Sequence, residues 1–311
     1  MRILFFGTPE FSASFLRFLV EETPHEVVGA VTQPDRPAGR GRQLQAPPVK
    51  RTALELGLPV LQPESLGDPA FLDALREAGA DLFVVIAFSI LPRAVLEIPP
   101  LGSLNLHGSL LPRYRGAAPV QWAVVNGEKV SGVTLFRLDP KMDHGPVVGR
   151  VELPIDENET ATELFDRMLE AGRPALAAAI SALERGEPPL EQDHSLATKA
   201  PKLRKEDGRI DWTAPARKVH DLVRGMQPWP GGWTTLGDRT LRVWETRLSD
   251  GAPAKAGEPG DLEATDGGKR LWAKCGDRWL ELLRVQPQDK REMLAKEFLC
   301  GLRTKENPKL A

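Results

Sequence analysis

The stretch "DLFVVIAF" (81–88) is an almost unbroken apolar run that follows the helical pattern "PAFLDALREAG". A strand with one wet face alternates apolar and polar residues, whereas a strand buried on both faces is apolar at nearly every position. Strands of the second kind belong to parallel sheets, because crossover helices cover both sides. The same texture extends outward in both directions. Upstream, "RILFF" (2–6) is a compact strand, followed by "GTPEF" and a helical stretch to about Val20. "EVVGAVT" (26–32) is a second strand, "PVKRTALELG" a short helix and "PVLQ" (59–62) a short strand. Downstream come the strand "SLNLH", the helix "AAPVQWAVVNG", the strands "GVTLFRL" (132–138) and "VVGRVELPI", and a long helix over 160–186. This alternation predicts an α/β fold with a Rossmann-like, mostly parallel sheet.

After Gly186 the texture changes. "EPPLEQDHSLATKAPKLRKEDG" has no periodicity and reads as a linker with a charged end. One helix follows (213–226), then the short runs "GGWTTL", "RTLRVWETRL", "GEPGDLEAT", "KRLWAKCG" and "RWLELLRVQP", separated by turn signals. Strands of this length at near-regular spacing predict a small C-terminal β-barrel, OB-like in size. The expected division is a domain at 1–188, a linker at 189–206 and a second domain at 207–311. Trp212, Trp229, Trp233, Trp244, Trp272 and Trp279 all fall in the last part. Core packing is the favoured reading for them over base stacking.

Composition is ordinary for a globular chain, with 41% hydrophobic and 27% charged residues. There is no apolar run of about 18 residues, so a membrane span is not expected. The apolar part of "MRILFFGTPEF" is too short for a signal peptide, and the expected location is the cytoplasm. Cys275 and Cys300 match neither a disulfide framework nor a metal motif. Charge is distributed unevenly. Residues 1–198 carry 18 Lys and Arg against 26 Asp and Glu, and residues 199–311 carry 23 against 17. A basic second part fits a polyanionic partner, although a chance imbalance of surface charge explains it equally well.

The chemistry concentrates in "LGSLNLHGSLLPRYRGAAPV" (101–120). Alternate residues of a strand share a face, so Asn105 and His107 point one way and Leu104 and Leu106 point into the core. Sites in open α/β sheets lie at the carboxyl ends of strands. Asp143 in "LDPKMDHG" follows the strand "GVTLFRL", and adjacent strand ends would bring it to His107. The turn after "RILFF" lacks G-x-G-x-x-G, so no dinucleotide fingerprint is present. Thr8 as helix cap with Pro9 in the first turn is one reading of it, and a backbone ligand contact is the other. The loop at 33–51 carries Arg36, Arg40, Arg42, Lys50 and Arg51 against Asp35.

"NLHGSLLPRYRGAAPVQWAVVNG" and "GVTLFRLDPKMDHGPV" together resemble the formyltransferase family that uses 10-formyltetrahydrofolate. "GTPEF", "TQPDRPAGRGRQLQAPPVK", "KLRKEDGRIDW" and "QPWPGGW" extend the resemblance over essentially the whole chain. It implies Asn105, His107 and Asp143 as the catalytic set. It also implies a folate site at Ser109, Leu110, Leu111, Pro112, Phe88, Ile90 and Leu91. The longer motifs imply an acceptor, the α-amino group of methionine on initiator tRNA, with formylation serving translation initiation. On that footing Arg36, Arg40, Arg42 and Lys50 form a wedge against the acceptor stem. Lys199, Lys202 and Lys205 would hold the tRNA body together with the C-terminal domain. The resemblance implies no metal, and a monomer is expected. Tyr114 stands where Trp is common, "IAFSILP" is one residue short, and His144 stands where a small residue is usual. Formyl transfer develops an oxyanion, for which the Asn105 amide and a His107 imidazolium are donors. An adjacent carboxylate would orient the ring. Other acceptors used in the family are glycinamide ribonucleotide and amino-sugar nucleotides. A formyltetrahydrofolate hydrolase module and a non-catalytic RNA-binding protein complete the alternatives.

Overall fold

The computed structural model describes residues 1–38, 43–301 and 309–311. The chain forms two compact units. The first comprises Met1–Gly116, Gly132–Glu152 and Arg167–Lys199; the second comprises Ala117–Ser131, Leu153–Asp166 and Ala200–Ala311.

In chain order the elements begin with β1 (Arg2–Gly7), α1 (Glu10–Glu22), β2 (Glu26–Val31), β3 (Arg36–Ala38), β4 (Gln43–Gln45), α2 (Pro48–Glu55) and β5 (Val60–Leu61). Then come α3 (Pro69–Glu77), β6 (Leu82–Ile86), α4 (Arg93–Leu96), β7 (Ser103–His107), α5 (Pro119–Val125), β8 (Val130–Arg137), β9 (Val147–Pro154) and α6 (Ala161–Glu184). A seven-stranded sheet runs β5-β2-β1-β6-β7-β8-β9. Its strands are apolar at successive positions because both faces are covered. Ile3, Phe5 and Leu104 pack with Phe15 and Leu16 of α1 and Leu176 and Ile180 of α6. Leu4, Phe6 and Phe83 pack with Phe71 and Leu75 of α3 and Val95 of α4.

The strands β5, β2, β1, β6 and β7 pair in parallel, as the sequence predicts. The β7–β8 pair is antiparallel, with His107 opposite Thr134 and Leu104 opposite Arg137. The carboxyl ends of these two strands therefore lie at opposite ends of the ladder, and adjacency of strand ends is not what brings Asp143 to His107. At the first strand-to-helix turn, a Cβ on Gly7 would come within 2.8 Å of the Phe5 ring and of Ser12. That glycine lets α1 start tight against the sheet. The Thr8 cap is not formed: Pro9 takes the cap position, and the buried Thr8 hydroxyl has no hydrogen-bond partner among the described residues. After β2, strands β3 and β4 pair antiparallel, with Arg36 opposite Gln45.

The second unit is built on α7 (Ala216–Gly225) and the strands β10 (Gly232–Leu236), β11 (Arg239–Arg247), β12 (Leu262–Thr265), β13 (Arg270–Lys274), β14 (Trp279–Pro287) and β15 (Met293–Leu294), followed by α8 (Ala295–Gly301). The antiparallel order is β10-β11-β14-β13-β12, with β15 added to β14. The two outer strands are tied by the C-terminal residues: Leu310 bridges Leu236, and Lys309 bridges Asp261. These bridges link the two margins of the sheet through one segment and make it barrel-like. Trp212, Trp272 and Trp279 are buried, as expected, whereas Trp229 is 52% exposed and is not core. Helix α7 carries a buried ion pair, Arg224 to Asp221 at 2.8 Å, and Arg224 also donates to the Glu159 carbonyl at 2.8 Å.

Candidate active site

Strand β7 presents its two faces as the alternation requires. Leu104 is fully buried in the α1–α6 core, and Leu106 packs at its margin. Asn105 and His107 take the other face, half-buried and buried respectively. The neighbouring β6 runs in register, Val85 beside Asn105, so both strands finish together at their carboxyl ends. His107 Nε2 lies 2.8 Å from the Tyr114 carbonyl. A carbonyl only accepts, so Nε2 carries the hydrogen and Nδ1 is the open nitrogen of the neutral ring. Nδ1 faces Asp143 Oδ2 at 3.8 Å. The distance is too long for a direct hydrogen bond and leaves room for a proton shared with a third group.

Asp143 is brought there by its loop rather than by its strand. Its φ is +52°, in the left-handed region. Ala87, at the end of β6, and Tyr114 share this conformation at +50° and +59°. Tyr114 and Asp143, both held against His107, therefore concentrate backbone strain there. The Asp143 carboxylate accepts the Gly116 N–H at 2.8 Å. Gln192, almost fully buried, donates to the carbonyls of Asp143 at 3.1 Å and Gly145 at 2.6 Å. Its side-chain oxygen accepts from Arg115 at 2.7 Å. One amide thus fastens the Asp143 loop to the loop after β7. Gly145 has no alternative, because a Cβ there would overlap the Arg137 carbonyl oxygen. Beside it, His144 Nδ1 donates to the Asp139 carboxylate at 3.2 Å, and its ring stacks on His194 at 3.7 Å. Partial desolvation and the positive charges of His144 and Arg115 hold His194 below the ordinary histidine range.

The remaining expected residues fall in three places. Ser109, Leu111 and Pro112 are buried, and the Thr134 hydroxyl stitches their loop by donating to the Ser109 carbonyl at 2.6 Å and accepting from Leu111 N–H at 3.1 Å. Leu110 is half-buried. Phe88 packs edge-on to Phe6 and Leu91 is buried, while Ile90 is 65% exposed just past the end of β6. Arg36 is exposed at the start of β3, and Lys50 is paired with Asp35 at 2.8 Å. The Gln62 amide and Lys50 together lower the Asp35 carboxyl. Lys199, Lys202 and Lys205 are exposed. Arg40 and Arg42 lie outside the described residues. Among the described residues no cluster of three or more His, Cys, Asp or Glu is placed to hold a metal ion. No helix among the described residues is long and apolar enough to cross a membrane.

The family model for formyl transferase matches residues 1–180, and that for the formyl transferase C-terminal domain matches 202–303. The chain belongs to the formyl transferase family. A methionyl-tRNA formyltransferase of Anaeromyxobacter sp. is 46% identical over 307 residues, covering 98% of each chain. Another, of Pelobacter propionicus, is 44% identical over 301 residues, covering 96% of this chain and 92% of its own length. Among solved structures, the sugar 3N-formyltransferase WlaRD, crystallised with dTDP and 5-N-formyl-THF, superposes with a TM-score of 0.67 at 17% identity, over 94% of this chain and 99% of its own. HypX from Aquifex aeolicus, in complex with tetrahydrofolic acid, gives 0.64 at 19% identity, over 96% and 47%. At these identities the two structures bear on the fold alone. Within the family fold, three contributors to the site were not legible from motifs: the Tyr114 carbonyl, the Gly116 N–H and Gln192. Two are main-chain groups. The third sits in a stretch with no periodicity, where nothing but the structure shows that it is buried.

Proposed function

We propose that the chain transfers a formyl group from 10-formyltetrahydrofolate to the α-amino group of methionine on initiator tRNA, for translation initiation. The observation that carries this reading is the His107 ring, held by Tyr114 at Nε2 and facing Asp143 with Nδ1 across 3.8 Å. The relatives named methionyl-tRNA formyltransferase, alike over nearly their full length, support the acceptor.

The folate supplies the formyl carbon on a nitrogen that leaves as an amine. The attacking amine must lose one proton, and the leaving nitrogen must gain one. His107 Nδ1 is the acceptor facing the reacting atoms, and it returns the proton to the leaving nitrogen. Once charged, the ring donates through Nε2 to the Tyr114 carbonyl, and the Asp143 carboxylate 3.8 Å from Nδ1 stabilises its charge. The Asn105 amide donates to the oxyanion of the transition state and carries out that task at any pH. Ile90 and Leu110 offer apolar surface beside the strand ends for the folate rings. Buried Ser109, Leu111 and Pro112 shape the wall behind, with Phe88 and Leu91 beneath. Arg36, Arg40, Arg42 and Lys50 meet the acceptor stem, and Lys199, Lys202 and Lys205 the tRNA body. In functional terms 1–188 is the catalytic domain, 189–206 the linker and 207–311 the tRNA-binding domain. The chain works as a monomer in the cytoplasm.

The test is formyl transfer from 10-formyltetrahydrofolate to charged initiator tRNA, run beside a free amino-sugar nucleotide. Product is expected on the tRNA alone. Asn105→Ala, His107→Ala and Asp143→Ala are each expected to lose about 100- to 1,000-fold in kcat while folding normally. Wild-type turnover in any one of them removes that residue from the mechanism.

A further inference from the structure

Trp229 stands apart from the other large side chains of the second unit. It lies on the turn between α7 and β10 with 52% of its surface exposed, although an indole is among the costliest side chains to leave in water. The turn that carries it is firmly held. Gly231 N–H donates to the Met226 carbonyl at 2.8 Å, and Gln227 donates to the Trp244 carbonyl at 2.6 Å. Gly208 packs against the turn so closely that a Cβ there would overlap the Gly231 carbonyl oxygen. The ring is therefore exposed by a fixed backbone.

Trp229 lines a cleft of about 520 Å³, with Lys205, Trp233, Arg242, Gln286 and Asp289 among its walls. The volume falls within the range of about 300–1,000 Å³ common for small-ligand clefts. The flanking indoles are already engaged. Trp233 donates to the Lys205 carbonyl at 2.9 Å, and the Lys205 ammonium and the Arg209 guanidinium lie 5.8 and 5.9 Å from its ring centre. Trp244 donates to Gln286 at 3.0 Å, under the Arg242 guanidinium at 5.7 Å. The cleft therefore combines one open aromatic face with fixed cations and amide groups.

Pro230 and Pro287 add apolar wall, but Lys205, Arg242, Gln286 and Asp289 interrupt it, so a lipid tail would bury charged and amide groups without partners. A nucleotide matches each part: its base stacks on the indole, and its phosphate meets the cations. Bases inside a helical stem are already stacked on one another, so the fitting ligand is an unpaired one. We propose that this cleft binds one unpaired nucleobase of the tRNA, with Trp229 as the stacking platform and Lys205 and Arg242 on its phosphate. The proposal rests on the tRNA reading above and adds a base site to it.

Binding of purified initiator tRNA to the full chain tests this, with formylation measured in parallel. Trp229→Ala is expected to weaken binding about tenfold or more, by the usual worth of a stacked base. It raises the KM for tRNA alike and changes kcat and the donor KM by less than about twofold, because the ring takes no part in chemistry. Trp229→Phe keeps a π-face and is expected within about threefold of wild type. Arg242→Gln lowers the slope of log affinity against log salt by about one. A Trp229→Ala chain with wild-type tRNA affinity overturns the proposal, as does a Trp229→Phe chain as weak as Trp229→Ala. A wild-type chain that does not formylate, but binds tRNA through Trp229, overturns the functional reading and leaves the base site standing.

Discussion

At the scale of single residues, the site depends on groups that hold rather than react. Gln192 spends both its amide hydrogens on the carbonyls of Asp143 and Gly145, and its oxygen accepts from Arg115. Replacing it leaves two buried carbonyls without a donor and frees the loop that sets the 3.8 Å gap to His107. Small displacements at a reacting centre cost up to about 100-fold, so Gln192→Ala is expected to lower kcat by about 10- to 100-fold with little change in either KM. A kcat within twofold of wild type would show that the loop holds itself. Asn105 and His107 were legible because a strand's alternation puts polar side chains on one face. Asp143 was legible as a partner, but its route was not. Sequence spacing does not reveal that β8 runs antiparallel to β7, nor that a glycine's missing Cβ lets the loop fold back.

At the scale of elements, α7 is the one most exposed to pH. His220 is buried on it, between the Thr246 hydroxyl at 2.8 Å and the Glu157 carbonyl at 3.1 Å. Burial first, and then the nearby arginines, hold its pKa below the ordinary 6.5. Above that value the ring is neutral whether folded or unfolded, and pH has no leverage. As pH falls through 6.5 and below, the unfolded chain takes up a proton that the folded chain resists, so stability falls. The loss is at most about 1.4 kcal/mol per pH unit for one group. Urea unfolding between pH 7.5 and 5 is expected to show this decline, with a shallower slope in His220→Asn. An unchanged slope would place the effect elsewhere. Helices and strands were legible because their patterns repeat, from "DLFVVIAF" to β10–β14, whereas the two-residue β15 is too short to show a pattern. Trp229 was not, since composition cannot separate a core indole from one presented on a turn.

At the scale of the whole molecule, charge and fold agree on a division of labour. The excess of basic over acidic residues falls after residue 198, where the antiparallel unit and the exposed Lys202 and Lys205 lie. Each lysine or arginine on a phosphate contributes about 0.7–0.9 to the salt slope of binding. Lys202→Gln and Lys205→Gln are therefore each expected to flatten the dependence of tRNA affinity on salt by about that amount. Lys50→Gln is expected to flatten it less, because Lys50 is already spent on Asp35. Binding that hardly changes between low and moderate salt would refute the polyanion reading.

The Gln192 fastening also bears on recombination between relatives. The first family model stops at residue 180, a natural place to splice one homologue's front half onto another's back half. Such a hybrid would take its Asp143 loop from one parent and the amide beneath it from the other. It would also separate Tyr114 and Arg115 from the Thr198 and Lys199 that pair with them. A crossover placed after Lys199 inherits both sides of each pairing from one ancestor, and is the junction at which hybrids of these enzymes should keep their turnover.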